Sequence, residues 1–211
     1  MHHLFMVRHG TTQWIEARRV QGATDSPLSE RGIEEARCAA ENLNHIPFDA
    51  VFCSPMGRTR QTADIVCGLQ AARPIYLDDL REMDFGIYEG FAYVEPPQGD
   101  LTAWMKIHLM ARILIAQISG ETIARVKQRA VKAWENISAA QPCGRVLVIA
   151  HGVILNALLA HLLPKIEYQA IKNIRLQPCA LTELHVPGAG SARLVRLNDC
   201  DHLPAGGRAD P

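Results

Sequence analysis

The run Leu4-Phe5-Met6-Val7 has strand length, is apolar at every position, and ends abruptly on Arg8, His9 and Gly10. A buried strand delivers polar groups to the edge of its sheet in this way, so the run calls for a covered sheet and makes His9 a candidate catalytic group. Arg-His-Gly also arises by chance, and a strand ending in a solvated basic turn is the plain alternative. The choice between the two rests on whether anything downstream completes a site.

Two further strand-like runs end in the same manner. Ala50-Val51-Phe52-Cys53 is followed at once by Ser54-Pro55-Met56-Gly57-Arg58, and Arg145-Val146-Leu147-Val148-Ile149-Ala150 ends on His151-Gly152. Pro74 to Leu77 is another candidate, leading into an acidic, glycine-punctuated segment with Glu82, Asp84 and Glu89, and Ala180–Val186 and Ala192–Leu197 suggest two more. Helical spacing occupies the intervals. Ser29 can cap a helix carrying Ile33, Ala36, Ala40 and Leu43, another passes through Ile65 and Val66, and Gly120-Glu121-Thr122 opens one with Val126, Ala130, Trp134 and Ile137 on one face. A last helix runs from about Val153 to Leu163, where Pro164 stops it, and Gln13 to Pro27 reads as a loop. Strands alternating with helices imply an α/β fold, a three-layer sandwich with a mostly parallel central sheet flanked by helices.

With 211 residues, 48% of them apolar, the chain can bury the core of one domain, expected over 1–211 with one substantial insertion. That insertion is an apolar lid or cap at about 96–119; Lys106, His108 and Arg112 interrupt its apolar run and speak against a membrane span. Lys plus Arg and Asp plus Glu number 22 each, which leaves no net field to attract nucleic acid or an anionic membrane, so any bound anion needs a local cluster. The N-terminus lacks the marks of a signal peptide, and a cytoplasmic location is the expectation. Six cysteines without a CxxC pair read as reduced and structural, with no zinc site.

In parallel sheets ligands bind outside the carboxyl ends of the strands, where Arg8, His9, Arg58 and His151 would converge. Two arginines and two histidines in one pocket suit phosphate, whose oxygens match the planar donors of arginine. A neutral His9 nitrogen can attack phosphorus while Arg8, Arg58 and His151 stabilise the equatorial oxygens. Glu82 would give a proton to the departing alcohol and later take one from water; Asp84 and Glu89 are the competing carboxylates. No metal and no cofactor are needed, because arginines supply the positive charge.

These motifs together resemble the histidine phosphatase superfamily, in the branch that holds phosphoglycerate mutase-like phosphatases. They stand in family order: Arg8-His9-Gly10-Thr11-Thr12-Gln13-Trp14, Gln21-Gly22 with Asp25-Ser26-Pro27-Leu28-Ser29, Ser54-Pro55 with Arg58 and Gln61-Thr62-Ala63, Glu82 before Phe85-Gly86 and Glu89-Gly90, Gly120-Glu121-Thr122, and Ala150-His151-Gly152. The resemblance implies the phosphoglycerate mutase-like sandwich, a phosphohistidine on His9, a phosphate pocket from Arg8, Arg58 and His151, and Glu82 as proton donor. Thr12 and Gln21 match positions near the phosphate or the substrate entrance. Where the family usually follows the tryptophan with an asparagine that contacts phosphate, this chain has Ile15, which has no side-chain donor. The expectation is a phosphomonoesterase acting on small phosphorylated metabolites, with a phosphoglycerate-type mutase or a catalytically weakened phospho-ligand binder as alternatives. No nucleic acid or membrane partner is expected, and a homodimer is. Pro96 to Ser119 would cover the pocket mouth, and its apolar character suggests a bulky or apolar portion of the substrate.

Overall fold

The computed structural model describes residues 1–68, 73–92, 119–171 and 173–204, so the expected lid lies outside the described residues except for Ser119. Six strands, β1 (His2–Arg8), β2 (Ala50–Cys53), β3 (Pro74–Tyr76), β4 (Gly144–Ala150), β5 (Leu181–Val186) and β6 (Arg193–Asp199), form one sheet in the order β3-β2-β4-β1-β5-β6. The first four run parallel to one another. The sheet is thus mostly parallel, and β5 and β6 add an antiparallel margin beside β1.

Alternation along the central strands explains why they are apolar throughout. Leu4 and Met6 of β1, with Val146, Val148 and Ala150 of β4, pack under α4 (Ile123–Ala140) and α5 (Gly152–Leu162). Phe5 and Val7, with Val51 of β2 and Leu147 and Ile149 of β4, face α2 (Glu30–Leu43) and α3 (Gly57–Cys67) on the opposite side. A strand covered on both faces has no position left for a polar residue until its end. Past His2 and His3 at the start of β1 and Arg145 at the start of β4, the next polar side chains therefore appear where the two strands leave the core.

Local chemistry sets the helix starts. The Ser29 hydroxyl accepts from the Gly32 amide at 3.2 Å, and Thr122 does the same for Arg125 at 3.2 Å. Two segments differ from expectation. The presumed loop after Gly10 contains a one-turn helix, α1 (Gln13–Glu16), capped by Thr12, whose hydroxyl accepts from the Ile15 amide at 3.2 Å. Pro164 ends α5 but also opens α6 (Lys165–Ile171), because proline lacks only an N–H that the first turn does not use, and its carbonyl accepts from Tyr168 at 3.0 Å. All six cysteines are free thiols. Among the described residues, no helix is long and apolar enough to cross a membrane.

The turn after β1 is held against α2 by backbone contact. A Cβ added at Gly32 would run into the Thr11 carbonyl, and one added at Gly10 would lie 2.5 Å from the Gly32 oxygen. Nearby, the buried Glu35 accepts from the Thr11 amide at 2.8 Å and its hydroxyl at 2.9 Å, which fixes the same turn from the helix side. Gly32→Ala is therefore expected to destabilise the fold by about 1–3 kcal/mol, since backbone must move to admit the methyl. Urea denaturation of the variant measures this, and an unchanged midpoint would mean that the contact is not tight.

Candidate active site

Parallel pairing brings the strand ends together. Arg8 stands level with Ala150 across β1 and β4, so His9 and His151 emerge as neighbours; the His9 amide donates to the Ala150 carbonyl at 3.0 Å. The two imidazoles lie 5.1 Å apart between centroids, tilted by 61°. At the end of β2 the Ser54 amide donates to the Ile149 carbonyl at 3.0 Å, placing the Ser54–Arg58 turn beside them.

Hydrogen bonding defines both tautomers. His9 Nδ1 lies 2.8 Å from the Gly10 carbonyl, which can only accept, so Nδ1 carries the proton and Nε2 keeps its lone pair. The Nε–H of Arg58 is shared between that Nε2, at 3.3 Å, and His151 Nδ1, at 3.2 Å. His151 therefore carries its proton on Nε2, which donates to the Ser54 hydroxyl oxygen at 2.8 Å. Burial holds both imidazoles well below 6.5, reinforced for His9 by Arg58 and Arg8 and for His151 by Arg58, His9, Arg8 and Arg129. Both rings are neutral at pH 7.

Arg58 is 1% exposed, and four of its five N–H groups donate to acceptors within the protein. Besides the histidines, Nη1 donates to the Thr24 carbonyl at 3.1 Å and Asp25 Oδ1 at 3.0 Å, and Nη2 to the Gly22 carbonyl at 2.7 Å. Asp25 also accepts from the amides of Gly57 and, at 3.3 Å, Arg58. It thus caps α3 from another loop, because Met56 at the N-cap has no acceptor. Glu89 binds the same loop, accepting from the amides of Ala23 and Thr24, each at 2.7 Å, and of Phe85 at 2.9 Å. Sequence reasoning placed Asp25 in a motif without a role and took Glu89 as a possible acid. Neither its orienting partner nor its backbone donors are visible in local spacing.

A cavity of about 690 Å³ opens over this cluster, with Arg8, His9, Arg58, Glu82 and Gln21 on its wall. Glu82 sits at the start of α5, accepting from the amides of Met83 at 2.9 Å, Val153 at 3.2 Å and Ile154 at 3.3 Å. Arg8 and Glu82 flank the bare backbone of Gly152: an added Cβ there would lie 3.7 Å from Arg8 Nε and 3.9 Å from Glu82 Oε2. Asp84 is turned to the Gly86 amide at 2.6 Å and, like Glu89, is not on the wall. His151 and Thr12 are fully buried behind it. His151 communicates with the cavity through Arg58, and Thr12 through Gln21, to whose Oε1 its hydroxyl donates at 3.0 Å. Ile15 lines the cavity, as do Phe85, Val153, Leu176 and Pro178.

A neutral imidazole lone pair, two guanidinium groups and a carboxylate at one opening form an arrangement able to accept and release a phosphoryl group. The family model described as histidine phosphatase superfamily (branch 1) matches residues 4–200. The chain belongs to that family. The curated protein named "Probable phosphoglycerate mutase GpmB" from Photorhabdus laumondii is 30% identical over 204 residues, 95% of this chain and 94% of that protein. Among solved structures, YhfR of Bacillus stearothermophilus is 29% identical with a TM-score of 0.79, covering 96% of this chain and 100% of that one. The alpha-ribazole phosphatase of Shigella flexneri shares the fold with a TM-score of 0.75 at 24% identity, covering 93% and 96% of the two chains.

Neutral, buried histidines couple the site to stability. Because both rings titrate below 6.5 in the folded state, the folded protein binds fewer protons than the unfolded chain on acidification. Their contribution is full above pH 6.5 and is lost as pH falls from 6.5 through the folded values, by up to about 1.4 kcal/mol per pH unit for each ring. Denaturation measured from about pH 8 to about pH 5 should show a steeper acid loss for the native protein than for a His9→Gln, His151→Asn double variant. Coincident profiles would show that the rings are not held neutral.

Proposed function

We propose that this protein hydrolyses small phosphoric monoesters through a phosphohistidine on His9. The observation that carries this is the Nδ1–H bond to Gly10, which leaves Nε2 of a neutral imidazole as an available nucleophile on the cavity wall. The Nε2 lone pair forms the N–P bond, the P–O ester bond breaks, and its electron pair leaves on the alcohol oxygen, which takes a proton from the Glu82 carboxyl group. A water oxygen then attacks phosphorus, its proton passes to the Glu82 carboxylate, and the N–P pair returns to His9. Arg8 and Arg58 stabilise the phosphoryl oxygens, while His151, behind the wall, acts through Arg58. As the His9 lone pair becomes a bond to phosphorus, the Arg58 Nε–H loses one of its two acceptors, and a phosphoryl oxygen takes that place beside His151 Nδ1, an interaction gained during the chemical step. Thr12 and Gln21 shape the entrance. A cytoplasmic location and a homodimer, expected from the sequence, belong to the same reading.

The name of the curated relative favours a second reading, a mutase that returns the phosphoryl group to another hydroxyl. Assaying release of inorganic phosphate against isomerisation of 3-phosphoglycerate separates the two. A third reading, a weakened binder, draws on Ile15, which adds no donor to the wall.

With p-nitrophenyl phosphate as substrate, His9→Ala should lower kcat by at least about a thousandfold, and labelled substrate should leave acid-labile phosphate on the parent protein only. Failure to trap such phosphate, with His9→Ala still binding phosphate as well as the parent, would leave only a binder. Glu82→Gln should cost about a hundredfold on an alkyl phosphate and much less on p-nitrophenyl phosphate, whose leaving group departs without a proton. Equal losses on both would remove Glu82 as the acid.

A further inference from the structure

The Gly120-Glu121-Thr122 motif lies off the cavity wall and has no part in the chemistry described above. Thr122 caps α4, and the Glu121 carboxylate turns back onto the same helix. There it receives two N–H groups of Arg129, from Nε to Oε1 at 2.7 Å and from Nη2 to Oε2 at 2.6 Å. The other three N–H groups of Arg129 point away from the helix. Nη1 donates to the carbonyls of Asp79 at 3.0 Å and Arg81 at 2.8 Å, and Nη2 donates to the carbonyl of Glu82 at 3.3 Å. One guanidinium thus uses all five of its N–H groups, two on the motif and three on the segment that carries the acid of the proposed reaction.

Glu82 is therefore strung between two helices. Its carbonyl is held by α4 through Arg129, and its carboxylate by the amides of Val153 and Ile154 at the start of α5. Leu80 and Met83, on either side of it, are buried in the core that both helices cover. Burial of those side chains keeps the segment against α4, but the orientation of the peptide planes between them is set by hydrogen bonds, and Arg129 takes the carbonyls of Arg81 and Glu82. The motif closes the frame from the other end, because the Glu121 amide donates to the Asp84 carbonyl at 2.8 Å. A lysine at 129 would bring three N–H groups on one nitrogen and could not reach the carboxylate and three carbonyls together. Lys132 and Asn136, further along the same helix, bind the Asp79 carboxylate, at 3.6 Å and 3.0 Å.

We infer that Arg129, locked by Glu121, is a positioning residue for Glu82: it sets where the carboxyl group stands relative to the departing alcohol oxygen and touches no substrate itself. The inference rests on reading Glu82 as the acid, and the dependence on leaving group tests the two separately. Turnover of p-nitrophenyl phosphate and of propyl phosphate is compared in the parent, Arg129→Lys, Glu82→Gln and the double variant. Arg129→Lys should lower kcat on propyl phosphate at least about tenfold more than on p-nitrophenyl phosphate, with KM for both little changed. Once Glu82 is replaced by glutamine, the same lysine substitution should add nothing to that ratio. Asn136→Ala, which loosens the same helix without touching the Arg81 and Glu82 carbonyls, should leave the ratio at its parent value. In isotopically labelled protein the amide resonances of Val153 and Ile154 should move in Arg129→Lys in the direction they take in Glu82→Gln, a readout independent of turnover. Equal losses on the two substrates in Arg129→Lys, a ratio effect that persists in full in the double variant, the same ratio shift in Asn136→Ala, or amide resonances that stay at their parent positions would overturn the positioning role. A Glu82→Gln variant that does not discriminate between the substrates would instead remove the acid, and with it the group to be positioned.

Discussion

A single N–H, on Nε of Arg58, lies between the two imidazoles that end β1 and β4, and the site depends on it. A guanidinium buried to 1% is costly unless every donor finds an acceptor. Asp25, two backbone carbonyls and two imidazole nitrogens supply acceptors for four of its five N–H groups, so the loop from Gly22 to Asp25 is as much part of the centre as the strand ends. Arg58 in turn reinforces burial in holding the histidines neutral: a positive charge within hydrogen-bonding distance opposes a second one. The anchoring carboxylate and the charge state of His9 are linked through one side chain.

The sheet makes this linkage possible at low entropic cost. His9, Arg58 and His151 are 49 and 93 residues apart along the chain, measured from Arg58, yet parallel pairing of adjacent strands sets them side by side before any side-chain contact forms. The observed register of β1 against β4 brings Arg8 level with Ala150. Packing of α2 by bare glycine backbone and of Glu35 against Thr11 then fixes the turn that aims His9.

Strands and site-bearing turns were legible in the sequence because their signals are local: Leu4–Val7 and Val146–Ala150 are apolar at every position and end in polar residues. The antiparallel margin was not, since nothing within Leu181–Val186 records its direction relative to β1. Pro164 misled for a related reason, because a residue that ends one helix also suits the first turn of the next. Asp25 and Glu89 were missed as anchors since their partners, Arg58 and the amides of Ala23 and Thr24, are separated from them by 33 and by up to 66 residues.

Helix α5 begins at the site, and helix N-termini commonly bind anions through exposed amides and the helix dipole. Here the amides of Val153 and Ile154 are already taken by Glu82, a carboxylate from the chain itself. On the proposed reading, a phosphoryl group on His9 would therefore draw its charge balance from side chains, and Arg8 and Arg58 are the groups on the wall beside it. Placing the carboxylate on the helix start serves a second purpose: it is held by backbone donors rather than by Arg8, across Gly152 from it. On the proposed reading, proton transfer and anion binding use separate sets of donors at one opening.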